Sequence, residues 1–464
     1  MPLADLDEHV LGEILYFCDV RSVLRFSQLN KYCQRITFSK HVWISLIHDL
    51  EFRGLRDTDP TLQLEACTTQ ALVDMAKRVA IGPLTWSRTS PVLPTLAREI
   101  VVQLDESFQP SRNTTVCLLP GGTHLAVFPC GDKLLLLAVA TGRCIWTYET
   151  PNWISCAMDV RDGGEVAVFV FSSHGIDYQP GYIEVINVDL RTGESFLASH
   201  FSLSGFQPSF HLSGDFLLGA ISSTTDEAQV VNWCADTSIR LKFPMAVICA
   251  ALVDNQVLAV HRQDPGDKTL LLALYALNSF EWHSGSLSDP PPATQTPVAS
   301  LTLPLSTAFG NIEPTMTVHK HPTQRDAYRV ILHLHLTSQV ARRPESLIGK
   351  LWSKLRPPKP SPAGERFDHT FAVSTSKLSL VSAVRPGRPR MYAFAGYSVH
   401  IQHRPPVNVL MSEREGDGGN DLSQREVMRW PRPHHESSAW PSVGIYHAAV
   451  VLVDERIVRI LYYK

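Results

Sequence analysis

The chain has 464 residues, 44% hydrophobic and 19% charged, and a formal net charge of −3, so it can bury more core than one small domain holds and two modules are expected. That balance excludes a global attraction to phosphate backbones or anionic membranes, and no run of about 18 apolar residues is present to span a bilayer. Nine cysteines, an odd number with no C-x-x-C pair, exclude a disulfide framework and a zinc ribbon and read as small buried hydrophobes.

The amino terminus, MPLADLDEHVL, carries acidic residues where a secretory leader carries positive charge, which predicts a cytoplasmic or nuclear protein. Leu6, Val10, Ile14 and Phe17 then recur at helical steps, and Leu11, Leu15 and Cys18 widen the stripe. Asp19 and Ser22 supply capping oxygens before a second helix whose apolar face is Val23, Leu24, Phe26 and Leu29. NKYCQRITF predicts a third helix and SKHVWISLI a fourth, capped by Ser39 with Val42, Trp43, Leu46 and Ile47 inward. Four short helices in about 45 residues cannot cover that much apolar surface alone, so part of it is left for another polypeptide.

The order Leu6, Val10-Leu11, Glu13-Ile14-Leu15, Asp19, Val23-Leu24-Arg25, Leu29-Asn30-Lys31 and Trp43 resembles an F-box. The resemblance implies docking on the Skp adaptor, and through it on a cullin, in a cullin-RING ubiquitin ligase. Carried over by position, it implies adaptor contacts from Leu6, Asp7, Ile14, Leu15 and Leu24, with Trp43 holding the helices together. Asp7 departs from the family pattern, which usually has proline after the first leucine. The competing reading is a helical cap that seals the β region.

Residues 61–80, TLQLEACTTQALVDMAKRVA, predict one or two connecting helices with Thr61 as cap. Gly82 and prolines 83, 91 and 94 then break the pattern, so the expected division is 1–50 helical module, 51–95 connector and 96–464 β region. In that last part a four-strand unit recurs. VCLLPGGTHLAVFPCGDKLLLLAVATGRCIWTYE from Val116 is answered by units starting at Cys156, Phe210 and Cys249, with corresponding turn residues 121, 163, 214 and 255 spaced 42, 51 and 41 apart. Such meanders stack radially, which predicts a β-propeller of degenerate WD-like blades, seven being favoured over six or eight. REIVVQL near residue 100 is expected to pair with ERIVRILYYK at 455–464 and share a blade.

Chemistry is sparse. His333 and His335 share a strand face, a spacing that binds zinc only with further ligands, and His434-His435 sits in a loop; no metal or other cofactor is expected. RDGGE, LPGG and DPGD lie between strands and lack the helix amino terminus a phosphate loop needs. No nucleophile or kinase signature occurs, so no enzyme is expected. Residues 341–366 hold seven Lys or Arg against two Glu, with Leu347, Leu351 and Leu355 on one helical face beside Ile348 and Trp352. This insertion, between the second and third strands of the fifth unit, is either a solvated excursion or a target-contacting helix through Arg343, Lys350, Trp352, Lys354 and Arg356; too few aromatics accompany it for nucleic acid. Loops 173–181, 223–228 and 262–268 are further candidates for target contact, and the polar loop 411–427 is expected to lack regular structure. The reading is a non-catalytic substrate receptor binding the Skp adaptor and an unidentified target protein, the alternative being an interaction scaffold unconnected with ubiquitin.

Overall fold

The computed structural model describes residues 6–56, 62–82, 95–105, 108, 114–128, 133–149, 154–173, 181–203, 207–220, 226–262, 269–284, 293–294, 296–304, 311–337, 365–374, 377–384, 391–394, 397–402, 407–413, 425–430, 442–443, 449–454 and 456–463.

Among the described residues five α-helices come first: α1 (Glu8–Tyr16), α2 (Val20–Ser27), α3 (Lys31–Thr37), α4 (Lys40–Phe52) and α5 (Thr69–Ile81), with a 3-10 turn at Leu64–Ala66. Their amino termini leave backbone N–H groups without an intrahelical partner, and short polar side chains take them up. The Asp7 carboxylate accepts from His9 N, Asp19 from Ser22 N, Asn30 from Cys33 N, and the Thr68 hydroxyl from Ala71 N. Three expectations change here. Ser22 donates its backbone N–H to the cap rather than serving as one. Ser39 stands at the cap position of α4 without a side-chain hydrogen bond. Thr68 caps α5, while Thr61 lies outside the described residues.

One apolar core joins these helices: Leu11 and Leu15 from α1, Val20 and Val23 from α2, Ile36 from α3, Val42, Trp43, Leu46, Ile47 and Leu50 from α4, and Leu72, Val73 and Ala76 from α5. Gly12 lets α1 lie close to α4, since a Cβ there would stand 3.1 Å from the His41 Nε2. The four expected inward residues of α4 are all buried, and Trp43 fills the centre.

Among the described residues thirty strands follow in chain order. β1 (Leu96–Gln103) precedes the first sheet, β2 (Thr115–Leu118), β3 (His124–Phe128), β4 (Lys133–Ala138) and β5 (Cys144–Glu149). The second sheet is β6 (Ile154–Arg161), β7 (Val166–Ser173), β8 (Gly181–Asp189) and β9 (Ser195–Leu203); the third begins β10 (Gln207–Ser213), β11 (Phe216–Ala220), β12 (Glu227–Asn232) and β13 (Thr237–Lys242). The fourth takes β14 (Val247–Val253), β15 (Gln256–His261) and β16 (Thr269–Ala276). After it the chain lays β17 (His283–Ser284) and β18 (Ala293–Thr294) beside β13, then returns with β19 (Ala299–Pro304) beside β16. The fifth is β20 (Asn311–Lys320), β21 (Ala327–Thr337), β22 (Glu365–Ser374) and β23 (Lys377–Val384), and the sixth β24 (Met391–Phe394), β25 (Tyr397–Gln402), β26 (Val407–Glu413) and β27 (Arg425–Trp430). β28 (Ser442–Val443), β29 (Ala449–Asp454) and β30 (Ile457–Tyr463) join β1 in the last.

Among the described residues this makes seven sheets, six of four strands and the third of six. Successive antiparallel meanders, the last completed by the strand that precedes the first, are the topology of a β-propeller. The fold is mainly β with short amino-terminal helices. The expected closure is present: β1 pairs antiparallel with β30 from Leu96↔Tyr463 to Gln103↔Ile457, and Arg459 Nη1 donates to Glu99 Oε1 at 2.7 Å across it. Residues 411–413 and 425–427, expected to be unstructured, belong to β26 and β27, whose register pairs Met411 with Arg425.

By compactness the chain forms two units. The first comprises Met1–Ser204, Lys320–Asp326 and Pro389–Lys464; the second comprises Gly205–His319 and Ala327–Arg388. Within the first, Val102, Val127, Val451 and Ile460 belong to one core, and Leu134, Leu136, Phe169, Phe171 and Val188 to another. Within the second, Ile239, Val257 and Tyr275 share one core, and Leu272, Leu332 and Phe371 share another. Along β15, Val257 and Ala259 enter one core and Leu258 and Val260 the other, the period-2 pattern of a strand packed on both faces.

Candidate partner-binding face

The stripe on α1 divides. Leu11 and Leu15 enter the helical core, Leu15 with 3% of its surface left, whereas Val10, Ile14 and Phe17 keep 43%, 47% and 69%. Spaced four and three apart, Val10 and Ile14 of α1 and Phe17 at its C-cap line one face. Leu24 on α2, Leu29 beyond it and Tyr32 on α3 are also exposed. Charge lies alongside: Arg35 of α3 pairs with Glu8 of α1 at 2.8 Å and stacks its guanidinium over the Tyr32 ring at 5.4 Å.

The five residues that the F-box resemblance implies differ in exposure and surroundings. Ile14 and Leu24 are exposed; Leu6 is half-buried against the helical core; Asp7 spends its carboxylate capping α1. Leu15 lies in the helical core. Val10 and Phe17 are exposed instead. They were already part of the sequence stripe, but helical periodicity alone does not say which edge of a wide stripe turns inward.

The helices are anchored to the first unit at several points. Gly54, at φ 68°, lies so close to Pro120 that a Cβ would sit 2.7 Å from the proline Cβ, and Phe52 lies against Gly163 in the turn after β6. Arg53 Nη2 donates to the carbonyls of His321 and Gln324 at 2.7 and 3.0 Å.

Polar groups elsewhere are held for structure. His261 at the end of β15 is fully buried; its Nδ1 faces the Met245 carbonyl at 3.2 Å and its Nε2 the Tyr275 hydroxyl at 3.0 Å. A carbonyl only accepts, so Nδ1 carries the proton and Nε2 accepts from the tyrosine. Desolvation holds this imidazole below its ordinary pKa and pushes the Tyr275 phenol up to about 12. His211 Nδ1 accepts from Leu252 N, and desolvation lowers it to about 4. Burial raises the Cys117 thiol to about 11 and lifts Cys156 and Cys249 as well, so these thiols stay protonated. Among the described residues no group of three His, Cys, Asp or Glu is placed to hold a metal. His333 is buried in β21 opposite Asp368 of β22. His434 and His435 lie outside the described residues, as do Arg343, Lys350, Trp352, Lys354 and Arg356 and most of loops 173–181, 223–228 and 262–268. The insertion does leave from the end of β21 and return at the start of β22, between the second and third strands of the fifth sheet. No helix among the described residues is long and apolar enough to cross a membrane.

No family model and no curated relative matches the chain. Among solved structures it is similar to the β-propeller domain of Cps50 (Swd1) from Myceliophteria thermophila, at TM-score 0.43 and 11% identity over 78% of this chain and 99% of that one. It is also similar to Raptor from Chaetomium thermophilum, at TM-score 0.43 and 10% identity, covering 100% of this chain and 39% of Raptor. Both likenesses are remote, and the propeller assignment stands on strand order.

Proposed function

We propose that this chain is a non-catalytic substrate-recognition subunit of an SCF-type ubiquitin ligase. An F-box formed by the amino-terminal helices docks on a Skp adaptor and through it on a cullin, while the propeller engages a target protein. The subunit breaks no bond; it raises the local concentration of target near a charged ubiquitin carrier. The protein works in the cytoplasm or nucleus. Arg343, Lys350, Trp352, Lys354 and Arg356 in the basic insertion are the proposed target contacts, suited to an acidic partner.

One observation carries the reading: Val10 and Ile14 of α1 and Phe17 at its C-cap stay in water although the module has a well-filled core of its own. Exposed apolar residues aligned on one helix mark an interaction face more strongly than scattered ones do. The second reading, a propeller scaffold with no tie to ubiquitin, draws on a different observation. Leu64, Leu72, Val73 and Ala76 of the connector region cover part of the helical surface from within the chain.

Co-purification of the full chain with a Skp adaptor separates the two. Ile14→Glu is expected to weaken capture at least about tenfold, with an unchanged melting temperature. Retention of full adaptor binding by that variant, or no binding by the native chain, rejects the F-box assignment in favour of the scaffold.

A further inference from the structure

The corner between α1 and α2 leaves two backbone groups that neither helix satisfies, the Phe17 carbonyl at the end of one and the Arg21 N–H at the start of the other. Both are taken by one short segment some 300 residues away in sequence, within the same compact unit. Arg325 Nη1 donates to Phe17 O at 2.7 Å, and Arg21 N donates to Thr323 O at 3.0 Å. Next to Phe17, the Tyr16 carbonyl accepts from Ser45 Oγ of α4 at 3.1 Å. The last turn of α1 has no basic residue of its own, so Arg325 supplies the positive charge that favours a helix carboxyl end.

A carboxylate ties this contact to α4. Asp49 Oδ1 meets Arg325 Nη2 at 2.9 Å and its Oδ2 meets Arg53 Nη1 at 3.4 Å, while Arg53 Nη2 grips the His321 and Gln324 carbonyls. Asp49 and Arg53 are largely buried, so these charges have shed much of their water and depend on one another.

We propose that Asp49, Arg53 and Arg325 form a latch through which segment 320–326 sets the angle between α1 and α2, and with it the shape of the exposed apolar face. Phe17 caps the carboxyl end of α1 at the latched carbonyl and Leu24 lies on α2, so opening the latch separates two parts of the face without removing any of its side chains. Arg325 is a positioning residue, not a contact. The effect on partner affinity rests on the proposed docking function; the effect on the corner does not.

Hydrogen exchange on the full chain, read beside adaptor affinity, tests this. In Arg325→Ala, exchange of the Arg21 and Cys18 amides is expected to rise at least about tenfold while the amides of β3, β7 and β29 keep their protection, and adaptor affinity drops by a similar factor. Arg325→Lys, whose single ammonium cannot hold Asp49 and Phe17 O in the same fork, gives intermediate values and serves as the readout if the alanine variant does not fold. Unchanged exchange at Arg21 in both variants overturns the latch. Faster exchange with undiminished adaptor binding overturns its role in positioning the face. A native chain that binds no adaptor rejects the docking function alone, and the exchange result still decides the latch.

Discussion

Ile14 and Leu15 are neighbours on α1 with opposite surroundings, one in water and one against the helical core. Substitution separates them. Leu15→Ala removes three buried carbons from a packed site and is expected to cost about 2–4 kcal/mol of stability, measured by urea unfolding of the full chain. Ile14→Glu places a charge where water already reaches and leaves the unfolding midpoint unchanged. Their identities were legible in the sequence and their orientation was not: a stripe that includes positions 6, 10, 11, 14, 15, 17 and 18 covers more than half a helix. Gly12 helps settle the rotation, because its missing side chain is what admits His41 of α4 on that side. Asp7 is similar. As a departure from a motif it is unexplained, whereas in the structure it caps α1 by accepting from His9 N at 3.0 Å.

At the level of elements, the repeat pattern proved to be a record of backbone conformation. The turn positions matched by spacing, Gly121, Gly163, Gly214 and Asn255, join first and second strands of four sheets; Gly121, Gly163 and Gly214 have φ of 91°, 69° and 55°, and Asp254, the residue before Asn255, has φ 53°. Left-handed backbone favours Gly and tolerates Asp, which is why these turns could be found without any alignment. Turns of the same class need not be equally sensitive. A Cβ at Gly193, at φ 79° between β8 and β9, would fall 2.1 Å from the Ile145 carbonyl oxygen of β5, while one at Gly121 meets nothing within 4 Å. Gly121→Ala is therefore expected to cost only the conformational term of about 1–2 kcal/mol. Gly193→Ala adds a backbone clash and costs clearly more, an order that thermal unfolding of the two variants checks. The excursion between β16 and β19 was beyond such reasoning. Its strands β17 and β18 contribute two residues each and pair with the preceding sheet, and two residues carry no detectable alternation. The latch was equally hidden, since nothing in the spacing of Asp49 and Arg325 predicts that they meet.

For the whole molecule, the buried imidazoles set a direction for the pH dependence. His124, His211 and His261 are each held below the ordinary histidine pKa of 6.5 by desolvation, His211 at about 4. The native chain keeps them neutral while the unfolded chain takes up protons below about 6.5. Unfolding is thus favoured by acid: their contribution is fully present above that pH and declines as pH falls, for His211 down to about 4 at up to about 1.4 kcal/mol per unit. Denaturant midpoints measured at pH 7.5, 6 and 5 should fall in that order. Replacing His261 by Gln should flatten part of the slope; an unchanged slope would mean the imidazole is not the group responsible.

The pairing of β1 with β30 also bears on how the protein is made. β1 leaves the ribosome with its partner more than 350 residues short of being synthesised, a wait of roughly tens of seconds at ordinary translation rates. Over that interval Ile100 and Val102, which in the finished protein lie in or against a packed core, belong to a nascent strand whose pairing strand does not yet exist. Chaperone capture of stalled nascent chains should accordingly persist until residues 457–463 emerge, and release should follow their appearance.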